Sequence, residues 1–249
     1  MKLLKERPLA EEKASPLEEV IERRKEEVRS FCDSLAETYD TWHSKNRYYY
    51  REIESFCAEI ISPGSRVLEV GCGTGDLLNR VASERGVGID ISSEMIKRAQ
   101  SKFVHEPHLY FTNSWEDPQI RQGTYDFIIS ADVVEHLEDV PGTFRYLRGL
   151  CGEQTTLIVS MANPAWEPIL MILEKLNLKM PEGPHQRISF SALRDILDQT
   201  GFRVEEEGTR VLIPTAALPL ADFINSRFYS SRFLRKFGLI GYLVAKPRT

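Results

Sequence analysis

Val67-Leu68-Glu69-Val70-Gly71-Cys72-Gly73-Thr74-Gly75-Asp76 is the stretch that decides the fold. A short apolar run feeds a glycine-rich turn, and the turn opens a helix carrying Leu77, Leu78 and Val81. Glycines at such a turn permit positive φ and let a ligand approach bare backbone. They also leave the first N–H groups of the helix directed outward, toward whatever binds. The next strand, Val87-Gly88-Ile89-Asp90, ends in a carboxylate about twenty residues on, where an acid reaches the ribose of a nucleoside lying across the strand ends.

Two acids separate this from a dinucleotide site. Asp76 stands where a dinucleotide fingerprint has its third glycine, and a pyrophosphate there would meet a carboxylate. Glu69 lies inside the strand, which suits a cationic ligand better than an anionic one. A positively charged nucleoside points to S-adenosylmethionine. With both motifs in view, Glu69 to Gly75 followed by Gly88-Ile89-Asp90-Ile91-Ser92 resembles the class I S-adenosylmethionine-dependent methyltransferases, over roughly residues 62–161. The resemblance implies donor contacts from Glu69, Gly71, Cys72, Gly73, Gly75, Asp90 and Ile91. It adds Ser114 and Trp115 beside the adenine, and Ala131 after the fourth strand. The family usually carries an acid near position 113, where this chain has Asn113 and Ser114, so its base contact differs.

With 249 residues, 42% hydrophobic and 28% charged, the chain supplies a buried core. A net charge of -5 argues against a general nucleic-acid binder, and no DNA partner is expected. Cys32, Cys57, Cys72 and Cys151 form no Cys-x-x-Cys pair, which suggests reduced thiols and a cytoplasmic setting. No apolar run reaches the length of a membrane span, and the N-terminus has no apolar signal core.

The reading along the chain is an α/β, Rossmann-like, doubly wound fold with a seven-stranded, mostly parallel sheet. Residues 1–15 read as a disordered tail, 16–61 as a helical N-terminal extension or lid, and 62–249 as the main domain. Later strands are expected at 109–111, 125–130, 156–160, 202–204 and 241–246, with Ser92 and Ser189 capping helices. Acceptor-side insertions are expected after strand five, at 162–188, and after strand six, at 211–237. The aromatic stretch from Phe31 to Tyr50 is either plain packing or a lid, and Tyr39 is a candidate substrate contact. The 211–237 stretch mixes apolar residues with Arg227, Arg232, Arg235 and Lys236. It reads either as a core-packing insertion or as a surface for peripheral membrane contact.

Methyl transfer is an in-line displacement that depends mainly on positioning. A hydroxyl acceptor gains from a base, and histidine titrates in the right range. His136, beyond the fourth strand, and His185 are the candidate catalytic residues. The loop holding His185 resembles the His-containing loop of ubiquinone-biosynthesis O-methyltransferases. Arg187 is a candidate partner for an acidic acceptor group. If the stretch is helical, Asp132, Glu135 and His136 share one face in a manner compatible with a metal, but no metal is expected. The expected function is O-methylation of a small-molecule or lipid-linked acceptor. An S-adenosylmethionine-binding regulatory protein and an RNA methyltransferase are the alternatives.

Overall fold

A computed structural model describes residues 16–82, 84–213, 223, 225 and 236–248. The expected tail at 1–15 and most of the 211–237 insertion lie outside the described residues. Three helices come first: α1 (Pro16–Leu35), α2 (Tyr39–Lys45) and α3 (Arg47–Ile60). The sheet then builds through β1 (Arg66–Val70), α4 (Asp76–Val81), β2 (Arg85–Ile89), α5 (Ser93–Lys102), β3 (Leu109–Thr112), β4 (Tyr125–Ala131), α6 (Val140–Arg148) and β5 (Cys151–Ala162). It closes with α7 (Glu167–Lys175), α8 (Phe190–Gln199), β6 (Phe202–Arg210) and β7 (Ile240–Pro247).

The strand order is β3-β2-β1-β4-β5-β7-β6, with β7 antiparallel to both neighbours and the other pairings parallel. This is the expected seven-stranded, mostly parallel sheet. Its chain order reverses between β1 and β4, the switch point beyond whose carboxyl ends open α/β sheets bind ligands.

Both faces of the sheet are covered, which is why its central strands read as unbroken apolar runs. Leu68 and Val70 of β1 join Ile128, Phe144, Leu147, Leu157, Leu193 and Phe202 in one core. Val67 faces the other way, with Ile53, Phe56, Leu78, Ile96, Phe111 and Ile129. Each such side chain taken fully out of water contributes roughly 1.5–3 kcal/mol. Because side chains alternate along a strand, Glu69 shares the face of Val67 and is carried into the interior, only 3% exposed.

Local chemistry ends the helices as the sequence suggests. Ser92 Oγ accepts from Met95 N at 3.1 Å, Ser189 Oγ accepts from Ala192 N at 3.1 Å, and Gly201 follows α8 at φ +89°. Two strands outrun their expected limits. β5 starts at Cys151, well before the apolar run at Thr156, because Cys151 pairs with Tyr125 ahead of a register shift. β6 continues through the exposed glutamates 205–207 because an edge strand keeps one side in water. No helix among the described residues is long and apolar enough to cross a membrane.

Candidate active site

The glycine turn sits over the end of β2. Gly71 N and Cys72 N both donate to Ile89 O, at 2.7 and 3.1 Å. Gly73 N donates to one oxygen of Asp90 at 2.9 Å, and Ser92 N donates to the other at 2.9 Å. Asp90 is thereby aimed across the strand ends with lone pairs to spare. Burial raises its pKa above the ordinary value, while the two backbone N–H groups pull the other way. Gly71, Gly73 and Gly75 have φ of +71°, +51° and +86°. A Cβ on Gly71 would stand 2.0 Å from Val133 Cγ2, and one on Gly73 would stand 2.9 Å from the Tyr39 hydroxyl oxygen.

Two carboxyl groups near this turn behave differently. Asp76 is ion-paired with Lys102 Nζ at 2.7 Å. Glu69 receives a backbone hydrogen bond from Leu78, but its Oε2 is buried with no partner, and burial pushes its pKa far above the carboxylate range. A buried acceptor without a donor costs on the order of 1–3 kcal/mol, so Glu69 favours a ligand bringing a donor or a positive charge. Together with the glycine cradle and Asp90, this donor set fits a cationic nucleoside.

The N-terminal helices close over the turn. Tyr39 lies against Gly73; Thr74 Oγ1 donates to Asp40 Oδ1 at 2.7 Å; and Lys102 Nζ reaches Asp40 Oδ2 at 3.1 Å. Farther back, Ser92 Oγ donates to Asp33 Oδ1 of α1 at 2.5 Å. His43 stacks on Tyr50 with ring centroids 3.5 Å apart, and burial lowers its pKa to about 4. These contacts bring the aromatic stretch over the turn, while its Tyr48 and Tyr49 pack against the core.

Beneath the helices lies a cavity of about 1160 Å³. Its wall includes Glu69, Gly71, Cys72, Gly73, Asp90, Ile91, Ser114, Trp115, Ala131, Tyr39 and His136 from the sequence reading. Trp115 also packs on the core and sits edge-on to Tyr146 at 5.1 Å. Gly75 is not part of the wall; it caps α4, and a Cβ there would meet Phe111.

Residues 132–137 form a turn rather than a helix, with His136 N donating to Val133 O at 2.8 Å. The shared helical face expected for Asp132, Glu135 and His136 is therefore absent, although all three reach the cavity. Asp132 has φ +53°, a conformation that non-glycine residues adopt at a cost, and Tyr49 OH donates to its Oδ2 at 2.7 Å. Burial raises Asp132 to about 6 and Glu135 to about 8, the latter also repelled by Asp132. Glu135 Oε2 is buried without a hydrogen-bond partner among the described residues.

The two candidate histidines have different surroundings. His136 Nδ1 lies 2.9 Å from Pro184 O, which requires the proton on Nδ1 and leaves a lone pair on Nε2. Burial holds its pKa below the ordinary value, so it is neutral near pH 7. His185 has Nδ1 at 3.0 Å from Gly183 O and Nε2 facing Glu167 and Glu182 at 3.5 and 3.6 Å. Arg187 Nη2 pairs with Glu167 at 3.3 Å on a side chain 69% exposed. Neither His185 nor Arg187 lines the cavity. Glu167, Glu182 and His185 bring their ligand atoms within 4.8 Å of one another, but Arg187 and Lys179 already neutralise the two carboxylates.

The sequence reading missed Asp33, which ties α1 to the start of α5, and Lys102, which joins Asp40 to Asp76. No local signal marks these two, because each partner is distant in the chain.

A glycine cradle at the switch point of an open α/β sheet, with an acid closing the second strand, defines a nucleoside-binding fold of the methyltransferase type. The methyltransferase-domain family matches residues 42–207, and the chain belongs to that family. Ubiquinone biosynthesis O-methyltransferase from Vibrio campbellii is 28% identical over 148 residues, 55% of this chain and 63% of the relative. The chain spans less than two thirds of the length of such curated relatives. Magnesium protoporphyrin IX methyltransferase from Synechocystis PCC 6803, solved with bound SAH, shares the fold at a TM-score of 0.60 and 23% identity, covering 91% of this chain and 100% of that one. A possible histamine N-methyltransferase from Thermotoga maritima shares it at 0.62 and 15%, covering 88% and 99%.

Proposed function

We propose that the chain is an S-adenosylmethionine-dependent methyltransferase that modifies a hydroxyl of a small-molecule or lipid-linked acceptor. The observation that carries this is the cavity itself. One end offers Glu69, whose buried Oε2 has no hydrogen-bond partner among the described residues, beside Asp90 and the glycine cradle, and the other offers the Nε2 lone pair of His136. At about 1160 Å³ it exceeds the roughly 300–1,000 Å³ of a typical single-ligand site, in keeping with two ligands side by side. When bound, S-adenosylmethionine supplies a methyl group activated by a positively charged sulfur. Asp90 orients the ribose, Glu69 answers positive charge, and Tyr39 covers the turn and excludes water. His136 holds its Nδ1 proton on Pro184 O and takes the acceptor hydroxyl proton at Nε2. The similarity to ubiquinone biosynthesis O-methyltransferases favours oxygen as the accepting atom.

The test is transfer of labelled methyl from the donor into a metabolite and lipid extract, with identification of the product. A labelled methyl ether is expected. Protein that binds the donor yet labels nothing overturns the reading in favour of a regulatory binding protein, and label in RNA overturns the choice of acceptor.

A further inference from the structure

A second cleft, of about 660 Å³, opens where α2 and α3 meet α4 and the end of α5. Three arginines stand in its wall: Arg47 and Arg51 of α3, and Arg80 in the last turn of α4. Arg47 and Arg51, at i and i+4, rise from one face of α3 about 6 Å apart. Both lie near the start of that helix, whose first turn has no acid, and the positive end of the helix dipole disfavours cations there. Helix stability therefore does not account for them. His43, Arg47 and Tyr50 stand in the walls of both cavities, so the cleft backs on to the main one. Arg51 and Arg80 line the cleft only.

The charges in the cleft say what it holds. Lys102 Nζ engages Asp76 at 2.7 Å and Asp40 at 3.1 Å, so those two carboxylates are already answered within the fold. Glu54 is the remaining acid of the wall. Burial and Asp76 raise its pKa, while Arg80, Arg51 and Arg47 pull the other way, so all three guanidinium groups lie within electrostatic reach of this one carboxyl. None of the three forms an ion pair with it or with any other carboxylate among the described residues. Beside them, His43 Nε2 is buried with no hydrogen-bond partner among the described residues, and its ring stacks on Tyr50. Guanidinium forks from two helices, one pair set a helical turn apart, match an anion with several charged oxygens better than a single carboxylate. The volume falls in the range of roughly 300–1,000 Å³ of a small-molecule site.

We infer that this cleft binds a diphosphate group, free or carried by a nucleoside, with Arg51 and Arg80 gripping it from α3 and α4 and Arg47 closing the side toward the main cavity. Nothing in this binding depends on methyl transfer, so it is measured directly. Calorimetry on the full chain in magnesium-free buffer compares sodium pyrophosphate, ADP and sodium sulfate. Pyrophosphate or ADP is expected to bind about tenfold tighter than sulfate, or better. The tighter of the two identifies the source: ADP if a base gains contacts at the stacked rings of His43 and Tyr50, pyrophosphate if it does not. Arg51→Gln combined with Arg80→Gln should weaken that binding by about tenfold or more, because it removes two forks of donors. Both residues are exposed and stand outside the wall of the main cavity, so S-adenosylhomocysteine affinity should stay within about twofold and certifies the variant's fold. Arg98→Gln, an exposed arginine of α5 outside both walls, should bind the diphosphate as wild type does. Wild type that binds pyrophosphate and ADP no better than sulfate overturns the inference. So does a double variant that keeps wild-type affinity, or an Arg98→Gln variant that loses as much as the double variant. Transfer RNA that binds wild type while pyrophosphate and ADP do not overturns it in favour of a nucleic-acid surface.

Discussion

The donor end and the acceptor end of the cavity are built on opposite plans. At the donor end, backbone does the work: the β1 turn, the end of β2 and the cap of α5 are fixed by hydrogen bonds among Gly71, Gly73, Ile89, Asp90 and Ser92. At the acceptor end, side chains from remote segments are brought together. Tyr49 of α3 holds Asp132, Asn46 Nδ2 donates to Leu178 O at 3.0 Å, and Gln186 Nε2 donates to Leu137 O at 2.7 Å. A site made from local backbone leaves a short, periodic mark in the sequence, whereas a site made from distant side chains leaves none. The same contrast bears on what each end can change. Glycines that cannot accept a Cβ tie the donor end to one ligand, while the acceptor end can be refitted by single side-chain replacements.

The largest effect should come from separating the two histidines. His136→Ala is expected to lower turnover by roughly 10²–10⁴-fold while donor affinity stays within about twofold, because a positioned base contributes to the reaction and not to binding the donor. His185→Ala, whose ring is occupied by Gly183, Glu167 and Glu182 outside the cavity wall, should change turnover by no more than roughly threefold. Steady-state kinetics with the identified acceptor reads both. Equal losses in the two variants would erase the distinction that their environments draw.

Next in size is the backbone of the donor end. Gly71→Ala places a Cβ 2.0 Å from Val133 Cγ2 at φ +71°, so the turn must shift. Strain of about 1–3 kcal/mol at such a position predicts roughly 10–100-fold weaker S-adenosylhomocysteine binding by calorimetry. Gly64→Ala is the control: φ is +80°, but no atom lies within 4 Å of the added Cβ. It should lower thermal stability slightly and leave donor affinity alone. Asp90→Asn keeps the side-chain shape and gives up the charge, and should weaken donor binding by roughly tenfold. If the acceptor-end variant His136→Ala loosens the donor as much as Asp90→Asn does, the two ends are not separable in the way their construction suggests.

Much of the donor end was legible beforehand for a physical reason. Gly71, Gly73 and Gly75 are needed for positive φ, Asp90 for its place at the end of β2, and Ser92 for its cap, and each requirement writes a residue type at a fixed spacing. The sheet was legible because covering both faces demands apolar runs such as 125–130 and 156–160. The acceptor end was legible only in part. His136 and Asp132 follow from the rule that ligands sit beyond strand ends, but that rule says nothing of where the loop carrying His185 folds. The difference between the two histidines lies in which carbonyls and carboxylates the 162–188 segment folds against them. Arg187 illustrates the same limit, since a basic residue beside a histidine looked like a substrate contact and became a surface partner of Glu167. The ties through Asp33 and Lys102 depend wholly on how α1 and α2 pack, and leave no pattern along the chain.

The smallest expected effect is on stability, and it probes the unpaired acid at the acceptor end. Glu135 titrates near 8 in the folded protein because burial and the neighbouring Asp132 disfavour its charge. A carboxyl whose folded pKa lies above its unfolded value binds its proton more tightly when folded. Its contribution is fully present below the unfolded pKa, about 4.5, and is lost as pH rises through 8. The ligand-free protein should therefore lose melting temperature between pH 5 and pH 8.5, and Glu135→Gln, which cannot ionise, should lose a few degrees less over the same range. A cationic donor should oppose part of the trend, because burial raises the pKa of Glu69 and a positive charge beside it acts in the other direction. S-adenosylmethionine binding is then expected to tighten with rising pH more than S-adenosylhomocysteine binding does. Parallel melting curves for wild type and Glu135→Gln would show that Glu135 finds a partner in solution. Equal pH dependence for the charged and neutral ligands would remove Glu69 as the group that answers positive charge.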